Sequence, residues 1–314
     1  MTEIKWEGIY SALLTPFDAD DHIDFKLFEI NINSQVEAGI DGIVLGGSLG
    51  ESSTLTYDEK NSLLTRAKEI VNGKIPVILN IAEQSTREAI RVAQNAEMNG
   101  ADGLMVLPPM RYNADKNETL EYFRNIVVNT SLPIMIYNNP HDYKIEVTLD
   151  MFEQLEKIPS IQAIKESTRD VSNVTRIRNR FKNRFKILCG VDTLAFEELT
   201  MGADGWVGGL VDAFPAETVA IYRLIKAGKN HQALKIFRWF FPLLELDTHP
   251  KFAQYIKLAA TQTGLGSEYV RAPRLKLMLN EREKVLQTIN NAIKTRCEIL
   301  NYLESALMVK AGGL

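Results

Sequence analysis

Two cysteines among 314 residues, Cys189 and Cys297, supply no disulfide framework, and both read as small buried hydrophobes. Histidine is scarce too, with four residues. His22, His141, His231 and His249 are scattered without metal-ligand spacing, so no metal site is expected. Basic excess is absent too: 36 Lys and Arg stand against 40 Asp and Glu, and a net charge of −4 offers no cationic stripe for a nucleic-acid partner. The apolar runs are too short to span a bilayer, and Met1-Thr-Glu-Ile-Lys5 lacks the apolar stretch of a secretion signal. The chain is therefore read as cytoplasmic, with no membrane partner. No Gly-x-Gly-x-x-Gly turn follows Leu14 and no Gly-Lys-Ser/Thr closes the glycine-rich stretch 46–52, which disfavours a dinucleotide-binding sheet and a P-loop.

What is present is an ordinary globular composition, 45% hydrophobic and 24% charged, in a length that accommodates a (β/α)8 TIM barrel of about 250 residues plus an appendage. Short β-type runs alternate with amphipathic helical segments eight times, the α/β pattern of a parallel sheet clothed by helices. The strands are expected at Tyr10–Leu14, Gly42–Leu45, Val77–Ile81, Gly103–Val106, Ile134–Tyr137, Ile161–Lys165, Lys186–Gly190 and Gly205–Gly208. From Phe214 onward helical periodicity takes over through Leu224, then over 234–241, 252–260 and 281–303, with Pro250 and Pro273 as breaks. Residues 1–228 are thus expected to form the barrel and 229–314 a C-terminal helical extension.

Lys165 ends the apolar run Ile161-Gln-Ala-Ile-Lys165, where a lysine in a parallel strand has no obvious solvent to reach. Tyr137, 28 positions earlier, ends another run and is followed by the turn-forming Asn138-Asn139-Pro140. Strand ends flanking one helix, Leu149–Leu155, lie side by side on the same face of the sheet, so phenol and amine should share a cavity. In a barrel the working residues sit at those C-terminal ends. There, Gly46-Gly47-Ser48-Leu49-Gly50-Glu51-Ser52 can present backbone amides to a carboxylate, although a tight strand-to-helix turn explains the same glycines. Glu51 reads as a charge favoured by a helix N-terminus. A buried amine loses its proton more readily and can attack a ketone or cyclic imine; the iminium formed is an electron sink. Tyr137 would move protons, and Ser48 with Tyr112 would relay them to bulk water. Gly47, Leu49, Asn139, His141, Asp142, Gly190, Asp192 and Gly208 are the candidate substrate-binding positions. No cofactor is expected, because the covalent lysine imine does its work, and the partner is a small 2-oxo or 2-imino acid.

Taken together, Thr15-Pro16-Phe17, the Gly-Ser-Leu-Gly-Glu-Ser loop, Tyr137-Asn-x-Pro140 and Lys165-Glu166 resemble the dihydrodipicolinate synthase and N-acetylneuraminate lyase family of class I aldolases. The resemblance spans nearly the whole chain. It implies Lys165 as the Schiff-base lysine, Tyr137 as proton shuttle, Ser48 as loop hydroxyl, Tyr112 as a tyrosine lent across a subunit interface, and assembly as a homotetramer. Two departures stand out. Synthases that condense pyruvate with aspartate semialdehyde usually carry Thr-Thr where this chain has Ser48-Leu49, and an arginine where it has Asp142. A carboxylate meeting the one it should bind costs on the order of 4 kcal/mol at 4 Å and an effective dielectric of ~20.

Neuraminate lyase relatives generally keep Ser-Thr in the loop. Gly46-Gly-Ser-Leu-Gly-Glu51, Tyr137-Asn-Asn-Pro140, the stretch 239–249 and Val270-Arg-Ala-Pro-Arg274 are most similar to the subfamily of 1-pyrroline-4-hydroxy-2-carboxylate deaminases of hydroxyproline catabolism. That resemblance implies loss of water and ammonia, with Leu49 and Met110 forming a less polar far wall. Asp247 and His249 read as structural. Alternatives are a 2-keto-3-deoxy sugar acid dehydratase or aldolase, a pyruvate-dependent aldolase such as the synthase or lyase named above, and, from another class, a non-catalytic keto-acid binder.

Overall fold

Eight parallel strands pair in chain order, the last with the first: β1 (Gly8–Ala12), β2 (Gly42–Leu45), β3 (Val77–Ile81), β4 (Gly103–Val106), β5 (Ile134–Asn138), β6 (Ile161–Glu166), β7 (Lys186–Cys189) and β8 (Gly205–Gly208). Because β1 pairs with both β2 and β8, the sheet is a closed barrel. The computed structural model describes residues 4–109 and 112–296; Met110, Cys297 and the helix expected up to Leu303 fall wholly or partly outside them. All but two strand residues, Gln162 and Lys186, are buried, as a parallel sheet with both faces covered requires.

Most strand boundaries agree with the expected ones, but β1 begins and ends two residues earlier. Its register is set by β8, with Gly8 opposite Gly205. Leu13 still donates to Val44 O (3.0 Å), whereas the Leu14 amide turns to Asp212 Oδ1 (3.1 Å), so a side chain replaces the next rung.

The surrounding helices start where side chains satisfy orphan amides. Thr56 with Glu59 and Asp115 with Glu118 form capping boxes for α2 (Tyr57–Val71) and α4 (Lys116–Val127), which flank α3 (Thr86–Met98) in the sequence after α1 (Phe25–Ala38). On α3 the buried set Ala89, Val92, Ala93 and Ala96 traces one helical stripe. The series continues through α5 (Pro140–Tyr143), α6 (Leu149–Leu155), α7 (Ser172–Phe181), α8 (Ala195–Thr200) and α9 (Pro215–Lys226).

Beyond the barrel lie α10 (Asn230–Leu244), α11 (Phe252–Gln262) and α12 (Leu279–Lys294), whose buried side chains join the same apolar core. Pro242 does not end α10. Although it lacks the amide for a bond to the preceding turn, burial of Leu243 and Leu244 carries the helix two residues further. The chain then passes through a 3-10 turn at 245–248, and α11 follows Pro250. Among the described residues no helix is long and apolar enough to cross a membrane.

Glu51 has a different role from the helix-end charge expected of it. Its buried carboxylate pairs with Lys257 of α11, accepts from the Arg271 amide (3.1 Å) and lies 3.7 Å from Arg274. The Arg271 guanidinium holds both oxygens of Glu59 (2.9 and 2.8 Å) and reaches Asp21 (3.1 Å). These contacts fasten the last helices to the loop after β2.

Candidate active site

At the C-terminal ends of the strands opens a cavity of about 700 Å³, into which β5 and β6 deliver Tyr137 and Lys165. The two are register partners, and Lys165 Nζ stands 4.1 Å from the centre of the Tyr137 ring. Room for the lysine is made by Gly190: a Cβ there would lie 2.7 Å from Lys165 Cε and 2.1 Å from Ser167 Oγ. Lys165 is 6% exposed. Burial pushes its ammonium below the ordinary lysine value, against the opposing pull of Tyr143, Asp247 and Asp192. Burial likewise raises the Tyr137 and Tyr143 phenols, which therefore hold their protons at neutral pH.

Tyr137 leads into a hydrogen-bonded chain. Asn139 Nδ2 donates to the Tyr137 hydroxyl (3.1 Å) and to Asp142 Oδ2 (2.7 Å), while Asn139 Oδ1 caps α5 by accepting from the Asp142 amide (3.1 Å). Outward from Asp142 lie His141 Nδ1 (3.3 Å) and Arg169 Nη2 (3.8 Å), and Arg169 Nη1 meets His141 Nε2 at 3.2 Å. Asp142 is therefore accompanied by a cation, which reduces the repulsion expected of a bare carboxylate. Arg169 holds a left-handed φ of 63°, unusual for a non-glycine residue and typical of strained functional loops.

Ser48 bonds its hydroxyl to that of Tyr143, whose ring stands edge-on to Tyr137 with centroids 5.7 Å apart. Tyr143 thus stands beside Ser48 where Tyr112 is expected from the sequence. In the structure Tyr112 is 55% exposed and does not line the cavity of its own chain. Tyr143 does not stand out in the sequence because it falls six residues beyond Tyr137 at the strand end; its one signal is Asn139-Pro140, a helix start that brings residue 143 back over residue 139, with Tyr143 N donating to Asn139 O (3.1 Å).

Gly47, Ser48, Leu49, Asn139, His141, Asp142 and Gly190 all line the cavity. Asp192 and Gly208 do not. Asp192 lies behind the wall, fully buried, accepting from Trp206 Nε1 (2.8 Å), Gly209 N (3.1 Å) and Leu210 N (2.9 Å). Gly208 packs against that tryptophan, and its neighbour Gly209 reaches the cavity instead. Conversely, Asp247 and His249, read as structural, line the cavity, as do Arg274 and the Lys60–Glu83 ion pair (2.6 Å). In the loop after β2, whose Gly47, Ser48 and Leu49 line the cavity, the Ser48 and Leu49 amides meet no backbone acceptor among the described residues. No group of three or more His, Cys, Asp or Glu side chains among the described residues could hold a metal ion.

A desolvated amine, a protonated phenol beside it and a hydroxyl pair leading away are the parts needed to form, tautomerise and hydrolyse an imine. Comparison with known proteins points the same way. The sequence pattern of the Dihydrodipicolinate synthetase family matches residues 5–292. A 4-hydroxy-tetrahydrodipicolinate synthase of Phocaeicola vulgatus is 30% identical over 305 residues, covering 95% of this chain and 100% of its own. One from Exiguobacterium sibiricum is 32% identical, with coverages of 87% and 92%. The solved structure of the 4-hydroxy-tetrahydrodipicolinate synthase from Methylacidiphilum fumariolicum SolV superposes with a TM-score of 0.89 at 30% identity, covering 95% of this chain and 98% of that one.

Proposed function

This chain belongs to the dihydrodipicolinate synthetase family, whose lyases are of the class I aldolase type, and we propose that it forms a Lys165 Schiff base with a small 2-oxo or 2-imino acid. The observation that carries this reading is the buried Lys165 amine, 4.1 Å from the Tyr137 ring and linked by the cavity to Ser48 and Tyr143. The substrate proposed is 1-pyrroline-4-hydroxy-2-carboxylate. Asp142 supports it: a synthase condensing a second, carboxylate-bearing aldehyde is expected to hold an arginine at that position, whereas a single ring substrate has no such carboxylate to bind.

Lys165 adds to ring carbon 2, and the ring nitrogen departs as an amine with a proton from the Tyr137 relay, leaving an open-chain iminium. Loss of a carbon 3 proton gives the enamine, which expels the 4-hydroxyl as water. Tautomerisation and hydrolysis at carbon 5 release ammonia, and hydrolysis of the lysine imine releases 2-oxoglutarate semialdehyde. The iminium is the electron sink, so the scheme needs no added cofactor. The amides of Ser48 and Leu49 hold the substrate carboxylate and fix carbon 2 against the amine.

One observation favours a second reading. The cavity exceeds what a five-membered ring fills, and the Lys60–Glu83 pair, His249 and Arg274 line it as well, so a linear 2-keto-3-deoxy sugar acid would find donors and acceptors. Assembly as a homotetramer, with Tyr112 facing a neighbouring subunit, belongs to the same proposal. Borohydride reduction in the presence of the pyrroline, with mass mapping to Lys165, tests the imine, and ammonia release tests the reaction. Turnover of a sugar acid, or of pyruvate with aspartate semialdehyde, without ammonia from the pyrroline would displace the deaminase assignment.

A further inference from the structure

Asp247 reaches the catalytic cavity from outside the barrel. It lies in the turn at 245–248 between α10 and α11, yet lines the same cavity as Lys165, Tyr137 and Gly209. Its carboxylate packs against the loop after β8, where a Cβ on Gly209 would stand 2.9 Å from Asp247 Oδ1. Glycine at 209 thus leaves the space that the carboxylate fills. Among the described residues no ion pair joins Asp247 to a lysine or arginine, whereas the other cavity carboxylates Asp142 and Glu83 each face a cation. It shares the cavity wall with Lys165 and Tyr137, and when ionised it acts electrostatically on both and on Asp192.

We propose that Asp247 is the general acid that delivers a proton to the substrate hydroxyl two carbons from the imine carbon, so that it departs as water. The inference rests on the dehydration read under the proposed function and names the residue that performs it. Carbon 4 is two carbon–carbon bonds from the atom bonded to Lys165, so its hydroxyl remains among the neighbours of that lysine. Hydroxide is a poor leaving group, and Tyr137, already engaged with Asn139, is assigned to the ring nitrogen and carbon 3. A second acid is required. Burial, with the Asp192 charge adding to it, pushes the Asp247 carboxyl well above the usual carboxylate range despite the opposing effect of Lys165, so it carries the proton the step consumes.

In the step, the enamine nitrogen lone pair re-forms the carbon 2 iminium and the carbon 2–carbon 3 pair moves between carbons 3 and 4. The carbon 4–oxygen bond breaks with its electrons, and the Asp247 proton completes a water molecule. Asp247 is left as a carboxylate facing the new iminium cation, which it stabilises until solvent returns its proton. Tyr137 holds the proton taken from carbon 3. The net loss is one water, with no oxidant or reductant.

Asp247→Asn supplies the test, read in two ways. With pyruvate, which has no hydroxyl to expel, borohydride should trap the lysine adduct as in wild type, showing a folded site with a working amine. With the hydroxypyrroline, ammonia release should fall about 10² to 10⁴-fold, and the trapped adduct should be heavier by one water than the wild-type adduct. Asp247→Glu should recover part of the rate. Ammonia release by Asp247→Asn within a few-fold of wild type overturns the assignment while leaving the deaminase reading intact. A wild-type protein that traps pyruvate but never dehydrates the pyrroline overturns both.

Discussion

Ser48 and Tyr143, 95 positions apart in the sequence, share a hydrogen bond between their hydroxyls inside one chain. The Tyr143 ring stands edge-on to that of Tyr137, which places this hydroxyl pair in the same cavity as the phenol beside Lys165. Ser48→Ala and Tyr143→Phe are each expected to slow turnover, and because they sever the same link the double variant should be little worse than the poorer single one. Steady-state rates of the three proteins check this. Fully multiplicative losses would mean that the two hydroxyls act separately.

Lys165 and Tyr137 should separate by step. Lys165→Ala is expected to lose turnover and borohydride trapping together. Tyr137→Phe should still form the adduct, with turnover slowed roughly 10² to 10⁴-fold. The mass of the trapped protein and the rate of ammonia release distinguish the two, and a Tyr137→Phe enzyme as fast as wild type would remove the phenol from the mechanism.

Gly190→Ala is expected to silence the site with little effect on the fold. The added Cβ would press on Lys165 Cε and Cγ (2.7 and 2.8 Å) and on Ser167 Oγ (2.1 Å), displacing the amine from Tyr137. Thermal unfolding with pyruvate trapping is the measurement. Normal trapping by this variant would show that the lysine tolerates another path.

Glu198 of α8 should make stability depend on pH. It is buried, neither oxygen accepts an ordinary hydrogen bond, and the Cys189 thiol beside it turns to Val191 O (3.3 Å). Burial, reinforced by Glu166, pushes its carboxyl up to about 8 from 4.5. The folded chain thus keeps a proton that the unfolded chain releases, so this contribution is full below the unfolded value and is lost as pH rises through the folded one. Glu198→Gln imitates the protonated acid. Denaturant titrations at about pH 5 and about pH 9 should differ less for this variant than for wild type, with the gain in stability appearing at the higher pH. An unchanged difference would place the proton elsewhere.

Much of the barrel was legible because parallel strands buried on both faces leave short, continuous apolar runs, and a polar residue at the end of such a run stands out. Lys165 and Tyr137 were found in that way. Tyr143 and Asp247 were not, since each lies past its element's end on a single turn whose direction depends on packing. Asp192 misled for the opposite reason: it follows a strand as a ligand residue might, but Trp206 on the next strand and the following amides claim its oxygens. The helical stretch expected over 234–241 runs on through Pro242, because the next two leucines are buried.

The wall of the reaction chamber includes Asp247, Thr248, His249, Pro250, Phe252 and Arg274, all encoded after the last barrel helix. A fragment ending at Lys226 would possess every strand and Lys165, yet its bowl would stand open on one side. Water would reach Lys165 there, restoring the ammonium that burial suppresses. Cutting the chain back to Lys226 therefore takes away part of the cavity wall as well as bulk.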